Sequence, residues 1–211
     1  MSKICPLCKE KGTSFHKWQS REFYRCINCK GIFVPQDQFP DYENEKGRYL
    51  EHNNDVDDIR FQNFVSPITN GIMQKYSPEQ VGLDFGSGTG SAVSKVLGDN
   101  KYQIKQYDPF FANDPSLLDA TYDYIACCEV IEHFYNPVRE FNLLKSLLKP
   151  GATLYCMTDL YDSNIHFDSW YYKNDYTHVF IYSEETIQWV KESFYFASAQ
   201  IDNRLITFSK H

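Results

Sequence analysis

The segment that most constrains the fold of this 211-residue chain is Val81–Gly90, where an apolar stretch runs into three glycines at alternate positions. A helix is predicted to begin near Ser91, directly after the last glycine. Glycines let the backbone turn sharply after a strand and let a ligand approach the main chain closely. Asp84, near the end of the apolar stretch, is placed to meet an amino group of that ligand. The pattern D-x-G-x-G-x-G therefore predicts an α/β fold with a ligand site at the carboxyl end of this strand.

Alternating strands and helices follow this segment. Asp108 ends the next strand, Tyr102–Tyr107, where a carboxylate can accept both hydroxyls of a ribose. The remaining predicted elements are strand Tyr122–Cys128, helix Val138–Leu148, turn Lys149–Gly151, strand Ala152–Met157, helix Glu184–Glu192 after the cap Ser183, and strands Phe196–Ile201 and Leu205–Ser209. They predict a Rossmann-like α/β sheet whose ligand carries an amino group and a ribose, as S-adenosylmethionine does. An NAD or nucleotide-sugar enzyme is the alternative.

Four cysteines near the N-terminus form two pairs, Cys5 with Cys8 and Cys26 with Cys29, each separated by two residues. Zinc takes four tetrahedral ligands, and two turns of this kind supply two thiolates each. The spacing predicts a zinc ribbon whose metal is structural, because protein ligands fill all four positions. An iron site of the rubredoxin type and a direct role in substrate binding are the alternatives. We assign residues 1–35 to the zinc ribbon, 36–79 to a linker with preceding helices, and 80–211 to the α/β domain.

Charge is unevenly distributed along the chain. The formal net charge is −7, yet residues 1–35 hold seven lysines and arginines against two acidic residues. A basic ribbon predicts contact with an acidic partner such as RNA, but without clustered arginines a solvated face is the simpler interpretation. No apolar run is long enough to cross a membrane, and the N-terminus lacks the apolar stretch of a signal peptide. We therefore expect no membrane partner, a cytoplasmic location and reduced cysteines.

Taken together, the motifs resemble those of class I S-adenosylmethionine-dependent methyltransferases. The matching stretches are Leu83–Gly90, Tyr107–Pro109, Glu129–Phe134 and Leu147–Gly151. The resemblance implies a seven-stranded sheet whose last strand is antiparallel, in an enzyme that uses S-adenosylmethionine as its cofactor. It also implies cofactor contacts from nine residues, namely Asp84, Gly86, Ser87, Gly88, Thr89, Gly90, Tyr107, Asp108 and Glu129.

A narrower resemblance covers nearly the whole chain. Bacterial zinc-ribbon methyltransferases without an assigned substrate carry segments similar to Arg48–Asn54, Tyr107–Phe111 and Asp175–Val179. The first segment departs from the family pattern by having two adjacent asparagines, Asn53 and Asn54. This resemblance leaves the methyl acceptor open.

The segment after strand Tyr122–Cys128 limits the acceptor chemistry, because it lacks the Asn/Asp-Pro-Pro-aromatic motif of many base N-methyltransferases. Glu129, Glu132 and His133, with His178 from a later loop, resemble metal-binding residues of small-RNA 2′-O-methyltransferases and ubiquinone-pathway O-methyltransferases. That resemblance implies a divalent ion, Mg²⁺ or Mn²⁺. Without metal, the catalytic residues are His178, His133 and Glu129, with a histidine as the general base. In a third interpretation, Glu129 and His133 only shape the cofactor cavity.

Residues 161–182 form a long loop rich in tyrosine, phenylalanine and tryptophan, which predicts either an acceptor pocket or packing against the domain. The favoured function is methylation of a small molecule at oxygen. The alternatives are an RNA methyltransferase that holds RNA with its basic ribbon, and a non-catalytic cofactor-binding scaffold. The oligomeric state stays open.

Overall fold

The computed structural model describes residues 2–51 and 54–211, so that His52 and Asn53 of the Arg48–Asn54 segment lie outside the described residues. The strands are β1 (Lys3–Ile4), β2 (Lys11–Trp18), β3 (Arg21–Cys26), β4 (Ile32–Phe33), β5 (Val81–Phe85), β6 (Gln103–Tyr107), β7 (Tyr122–Cys128), β8 (Leu148–Met157), β9 (Phe180–Ile181), β10 (Ser198–Asp202) and β11 (Leu205–Ser209). The α-helices are α1 (Tyr42–Leu50), α2 (Ile59–Lys75), α3 (Ala92–Asp99), α4 (Pro137–Leu147) and α5 (Glu184–Ser193). Within this part of the chain, no helix combines the length and apolar character that a membrane crossing requires.

The larger sheet has the strand order β10-β11-β8-β7-β5-β6. Strands β5, β6, β7 and β8 are parallel, and β11 is antiparallel to both of its neighbours, as predicted for the last strand. Because β7 and β8 lie in the middle of the sheet, most of their residues are buried, whereas β6 at the edge is largely exposed. The carboxyl ends of β5, β6 and β7 therefore meet at one edge, where open α/β sheets bind ligands.

The prediction of seven strands is wrong for the described residues, in which this sheet has six. In the sequence, the missing strand would come between β6 and β7. That segment instead forms an isolated bridge between Asp108 and Ala112 and a 3₁₀-helix at Pro115–Asp119. Fourteen residues, 108–121, are too few for the crossover helix and the extra strand that a parallel unit needs.

Two local predictions also differ from the structure. Lys149–Gly151 lies within β8 as a bulge, since the pairing with β7 shifts from Tyr122↔Leu148 to Tyr124↔Thr153 and Gly151 has a left-handed φ of 75°. Part of the predicted linker is helical, because the Asp41 side chain accepts the Asn44 amide and caps α1. Helix α5 begins as predicted, with a capping box at Ser183.

The smaller sheet joins the N-terminal segment to the rest of the chain. Its order is β1-β2-β3-β4-β9, so that its last strand comes from residues 180–181. The Phe180 ring packs so closely on Gly31 that a Cβ atom there would lie 2.4 Å from it. Cys5, Cys29 and Phe33 share one buried cluster with the core of the larger sheet. The two sheets therefore form a continuous core.

Candidate functional site

A cavity of about 640 Å³ opens at the carboxyl ends of β5, β6 and β7. All nine residues predicted to contact the cofactor line it, and so do the predicted catalytic residues His133 and His178. Glu132 does not line the cavity, because its side chain is wholly buried behind it. One enclosed space thus borders both predicted halves of the site.

The glycine loop that follows β5 closes onto the end of β6. The amides of Gly86 and Ser87 both donate to the Tyr107 carbonyl, at 2.8 and 3.1 Å. Gly86 has a φ of +81°, and a Cβ atom at this position would lie 2.5 Å from a methyl carbon of Val130. Both the conformation and the space therefore require glycine there.

Two of the three acidic residues of the predicted cofactor site, Asp84 and Asp108, are buried and hydrogen-bonded. Asp84 accepts hydrogen bonds from the hydroxyls of Ser91 and Ser94, which lie at the start of α3, and burial raises its pKa. Asp108 accepts three backbone amides, from Gly88 at 2.9 Å, Phe110 at 2.8 Å and Phe111 at 3.1 Å. Only one of those bonds is to Asp108 Oδ2, so this oxygen keeps a lone pair for a further donor.

Glu129 follows β7 with an unusual left-handed backbone, at a φ of 53°. Its Oε2 accepts from Arg204 Nη2 at 2.7 Å, whereas its Oε1 is buried without a partner. Burial and then the charge of Glu132 raise the pKa of Glu129 to about 9, although Arg204 opposes the shift. Arg204 also pairs with Asp159 at 2.6 Å. Glu129 thus belongs to an ion-pair group on the β8 side of the cavity.

Glu132, His133 and His178 converge at the cavity wall, which the two histidines line. One ligand atom from each lies within 4.8 Å of the others, and Glu129 is not part of this group. Glu132 Oε1 accepts the Tyr172 hydroxyl at 2.5 Å, and its buried Oε2 has no partner among residues 2–51 and 54–211. The structure therefore brings together three of the four predicted metal-binding residues.

Both histidines are oriented by main-chain carbonyls. His133 Nδ1 lies 3.0 Å from the Thr177 carbonyl, and His178 Nδ1 lies 2.8 Å from the Tyr172 carbonyl. Since a carbonyl only accepts, each Nδ1 must carry the proton, and each Nε2 keeps a lone pair. Burial, and then the neighbouring His133, lower the pKa of His178 to about 3. The ring centroids of the two histidines are 4.9 Å apart.

The four N-terminal cysteines form a second convergent group, with all sulfur atoms within 4.8 Å of one another. Lys9 and Lys30, which follow the two Cys-x-x-Cys turns, adopt left-handed φ values of 63° and 62°. Each lysine also donates to a carbonyl of its own turn. Gly31 has no such φ, and the Phe180 ring explains the need for glycine there. Four thiol groups in this arrangement fit a tetrahedral zinc ion.

Several residues around the site carry no recognisable sequence signal. Glu45 and Tyr49 of α1 line the cavity, and Glu45 accepts the hydroxyls of Tyr49 at 2.8 Å and Tyr135 at 2.9 Å. Arg204 comes from the turn between β10 and β11. Ser94 is the exception. It lies three residues after the cap Ser91 and therefore faces the same side of α3 as Ser91, so its hydrogen bond to Asp84 could have been predicted.

Comparison with known proteins agrees with this geometry. Residues 60–197 match the family described as a methyltransferase domain. A search of curated proteins by sequence finds no match.

Solved structures share the fold at low sequence identity. Human N-acetylserotonin methyltransferase in complex with S-adenosylmethionine aligns with a TM-score of 0.55 and 10% identity, over 80% of this chain and 57% of that chain. The 1,6-didemethyltoxoflavin-N1-methyltransferase from Burkholderia thailandensis, with S-adenosylhomocysteine bound, aligns with a TM-score of 0.53 and 11% identity, over 93% and 98% of the two chains. An O-methyltransferase family protein from the same organism aligns with a TM-score of 0.53 and 12% identity, over 78% of this chain and 61% of its own length.

Proposed function

We propose, from the premise that this chain belongs to the methyltransferase-domain family, that it transfers a methyl group from S-adenosylmethionine to a hydroxyl oxygen of a small molecule. One observation carries the proposal. The glycine loop with Asp84 and Asp108, and the pair His133 and His178, border the same 640 Å³ cavity. Donor and acceptor can therefore be held side by side, which is the main requirement for an in-line transfer. Formation of S-adenosylhomocysteine with a small hydroxyl compound, but not with RNA, is the expected result.

The residues of the glycine loop fit S-adenosylmethionine. The buried Asp84 carboxylate suits the amino group of the cofactor's methionine arm, and Asp108 Oδ2 has a lone pair for a ribose hydroxyl. When bound, the cofactor supplies an electrophilic methyl carbon. We assign its other contacts to Gly86, Ser87, Gly88, Thr89, Gly90, Tyr107 and Glu129, all of which line the cavity.

Replacing Asp108 by alanine is expected to weaken S-adenosylmethionine binding at least about tenfold, because a hydrogen bond to a charged group contributes roughly 1.5–3 kcal/mol. Isothermal titration calorimetry measures this change. Asp114→Ala is the matched control, since Asp114 caps the nearby 3₁₀-helix at Pro115–Asp119 and does not line the cavity. Equal affinity of Asp108→Ala and the control would rule out the assigned ribose contact.

The charges around the cavity favour a small neutral or cationic acceptor over RNA. Within the described residues, its lining holds one arginine, Arg139, and no lysine, against the acidic residues Glu45, Asp84, Asp108 and Glu140, without counting Glu129, whose pKa is raised to about 9. Two basic residues of the ribbon are also turned inward. Arg21 bonds main-chain carbonyls, and the Arg25 guanidinium lies 5.7 Å from the Tyr161 ring centroid. A phosphate backbone would meet few free cations near this cavity.

The Glu132, His133 and His178 group fits a divalent cation. A buried carboxylate oxygen without a partner, here Glu132 Oε2, is costly unless a cation or a proton compensates it. One ring nitrogen of each histidine lies within 4.8 Å of the other and of a Glu132 oxygen, and the Nδ1 atoms are held by carbonyls as in many metal-bound histidines. Two imidazoles and one carboxylate suit Mn²⁺ better than Mg²⁺. We therefore propose Mn²⁺ as the preferred ion, with Glu129 outside its ligand set.

The role of this group is to remove the acceptor's proton. A divalent ion held by these residues would lower the pKa of a hydroxyl bound to it, and the proton would leave to solvent through the opening of the cavity. In the metal-free alternative, His178 or His133 takes the proton on Nε2 as a general base. The hydroxyl oxygen then forms a bond to the methyl carbon as the carbon–sulfur bond breaks, and S-adenosylhomocysteine is released. The scaffold alternative predicts cofactor binding with no transfer.

Replacing Glu132 by glutamine is expected to weaken Mn²⁺ binding at least about 10–100-fold, the size of effect seen even for residues beyond the direct ligands. Glutamine keeps an oxygen for the Tyr172 hydroxyl and removes the charge at Oε2. Electron paramagnetic resonance of free Mn²⁺ measures the affinity, in protein that retains its zinc. Glu129→Gln is the control and should bind Mn²⁺ like the wild type. Loss of Mn²⁺ in Glu129→Gln alone would mean that the wrong glutamate has been assigned.

A further inference from the structure

Arg21 is a ribbon residue whose side chain ends at the loop that carries His178. It is the first residue of β3 and follows the turn at Gln19, which has a left-handed φ of 54°. Its Nη1 donates to the carbonyls of Lys173 at 2.9 Å and Asp175 at 2.8 Å, and its Nη2 donates to the His178 carbonyl at 2.6 Å. One guanidinium therefore binds three carbonyls of a loop that is at least 152 residues away in sequence.

The main chain of this loop orients both histidines of the site. Within residues 172–178, the Tyr172 carbonyl accepts His178 Nδ1 and the Thr177 carbonyl accepts His133 Nδ1. The carbonyls bound by Arg21 belong to Lys173, Asp175 and His178, within the same seven residues. A shift of the loop main chain therefore moves both imidazole rings together.

Strand β4 of the ribbon holds the residues that follow the loop. The Val34 amide donates to the Val179 carbonyl at 2.9 Å, and the Val179 amide donates to the Glu132 carbonyl at 3.0 Å. Beyond them, Phe33 and Ile32 pair with Phe180 and Ile181 of β9. The ribbon is thus joined by backbone hydrogen bonds to the segment immediately after His178.

The opposite side of the loop is held by Arg48 of α1, which pairs with the Asp175 carboxylate at 2.8 Å. Asp175 also accepts the amide and hydroxyl of Thr177, at 3.0 and 2.6 Å. Burial raises the pKa of Asp175, but these bonds and the charge of Arg48 outweigh burial and hold it below the usual range. The carboxylate stays ionised, so Arg48 fixes the side chain of Asp175 while Arg21 fixes its main chain.

We propose that Arg21 is a positioning residue, and that the ribbon serves to hold the loop carrying His178 in its active geometry. The inference rests on the proposed function of that loop. The planar guanidinium presents several donors in a fixed fork, which a lysine ammonium cannot reproduce. Without it, the carbonyls of Lys173 and His178 lose the donor that Arg21 supplies, and that of Asp175 keeps only the His178 amide at 3.3 Å, so the loop must move to find water or another partner.

The test compares Arg21→Met with Arg25→Met in the full-length protein. Both residues lie on β3, but Arg25 lies over the Tyr161 ring and, among the described residues, makes no hydrogen bond to residues 172–178. Arg21→Met should lower kcat about 10²-fold, the effect that a displacement of about 1 Å can have, with zinc content and S-adenosylmethionine affinity as in the wild type. Arg25→Met should match the wild type in all three measurements. Arg21→Lys should recover only part of kcat.

Histidine-ring ¹⁵N NMR gives a readout that does not need turnover. In the wild type, His133 and His178, identified by single His→Gln variants, should carry their proton on Nδ1. In Arg21→Met, both rings should show mixed tautomers, even if no acceptor is ever found, so that failure of the proposed function leaves this test intact.

Wild-type tautomers and kcat in Arg21→Met would overturn the proposal. Loss of zinc or of cofactor affinity in that variant would also overturn it, because Arg21 would then support folding in general. If Arg21→Met does not fold, the ring tautomers of Arg21→Lys test the proposal. Wild-type tautomers in Arg21→Lys would mean that the guanidinium fork is not needed to position the loop.

Discussion

Replacing His178 by alanine is expected to lower kcat by about 10²–10⁴-fold, the usual contribution of a group that handles a proton in the transition state. The expected loss is the same whether His178 binds a divalent ion or acts as the base, because both roles use its Nε2. S-adenosylmethionine affinity should stay close to that of the wild type, since the residues assigned to the cofactor are on β5, β6 and β7 and the loops that follow them. Steady-state kinetics and calorimetry measure the two quantities.

His166→Ala is the matched control, because His166 belongs to the same aromatic loop but is exposed and does not line the cavity. It should turn over normally. Normal turnover in His178→Ala would return His178 to the role of a hydrogen-bonded loop residue, and both versions of the proposed chemistry would fail. Chelation separates the versions. If the reaction uses a divalent ion, EDTA at a strength that leaves the ribbon zinc in place should stop turnover, and Mn²⁺ should restore it. If a histidine acts as the base without metal, EDTA should leave turnover unchanged.

Replacing Cys29 by serine is expected to remove zinc and to destabilise the whole molecule. Binding of structural zinc contributes about 10–16 kcal/mol in zinc-finger peptides, so the loss should exceed the effect of most point substitutions. Cys29 is buried in the same cluster as residues of the larger sheet, and β4 pairs with β9. Unfolding of the ribbon should therefore expose part of the main core and release the loop that holds His178.

Metal analysis and chemical denaturation measure this prediction. Cys128→Ser is the control for the loss of a thiol, because Cys128 ends β7 outside the four-cysteine group and its variant should keep one zinc per chain. If Cys29→Ser lost zinc but kept the wild-type free energy of unfolding, the ribbon would be an independent appendage. Full retention of zinc in Cys29→Ser would contradict the ligand assignment itself.

The sequence predicts best where the determinants are local. Ser183 and the residues after it predict a cap, and β11 has the predicted bounds Leu205–Ser209, because a cap and an alternating strand depend on near neighbours. The D-x-G-x-G-x-G pattern is informative partly for the same reason, because the left-handed φ of Gly86 is set within one turn, whereas the Val130 side chain that excludes a Cβ atom there is distant in sequence.

Long-range features could not be predicted in this way. Glu129 and Glu132 are three residues apart, and only the left-handed turn at Glu129 explains why one faces Arg204 and the other faces the histidines. The Arg21 contacts span more than 150 residues and carry no spacing signal. Glycine is required at position 31 because the Phe180 ring, 149 residues away in sequence, leaves no room for a Cβ atom.

The most direct measurement of the central claim is transfer of labelled methyl from S-adenosylmethionine, with wild-type protein and His178→Ala run in parallel. The acceptors are a panel of small hydroxyl compounds and, separately, total RNA, in the presence of Mn²⁺ or EDTA. We predict labelled product from a small hydroxyl compound and S-adenosylhomocysteine in equal amount, with little from His178→Ala and none from RNA. Labelled RNA, or cofactor binding without transfer to any compound of a broad panel, would contradict the account.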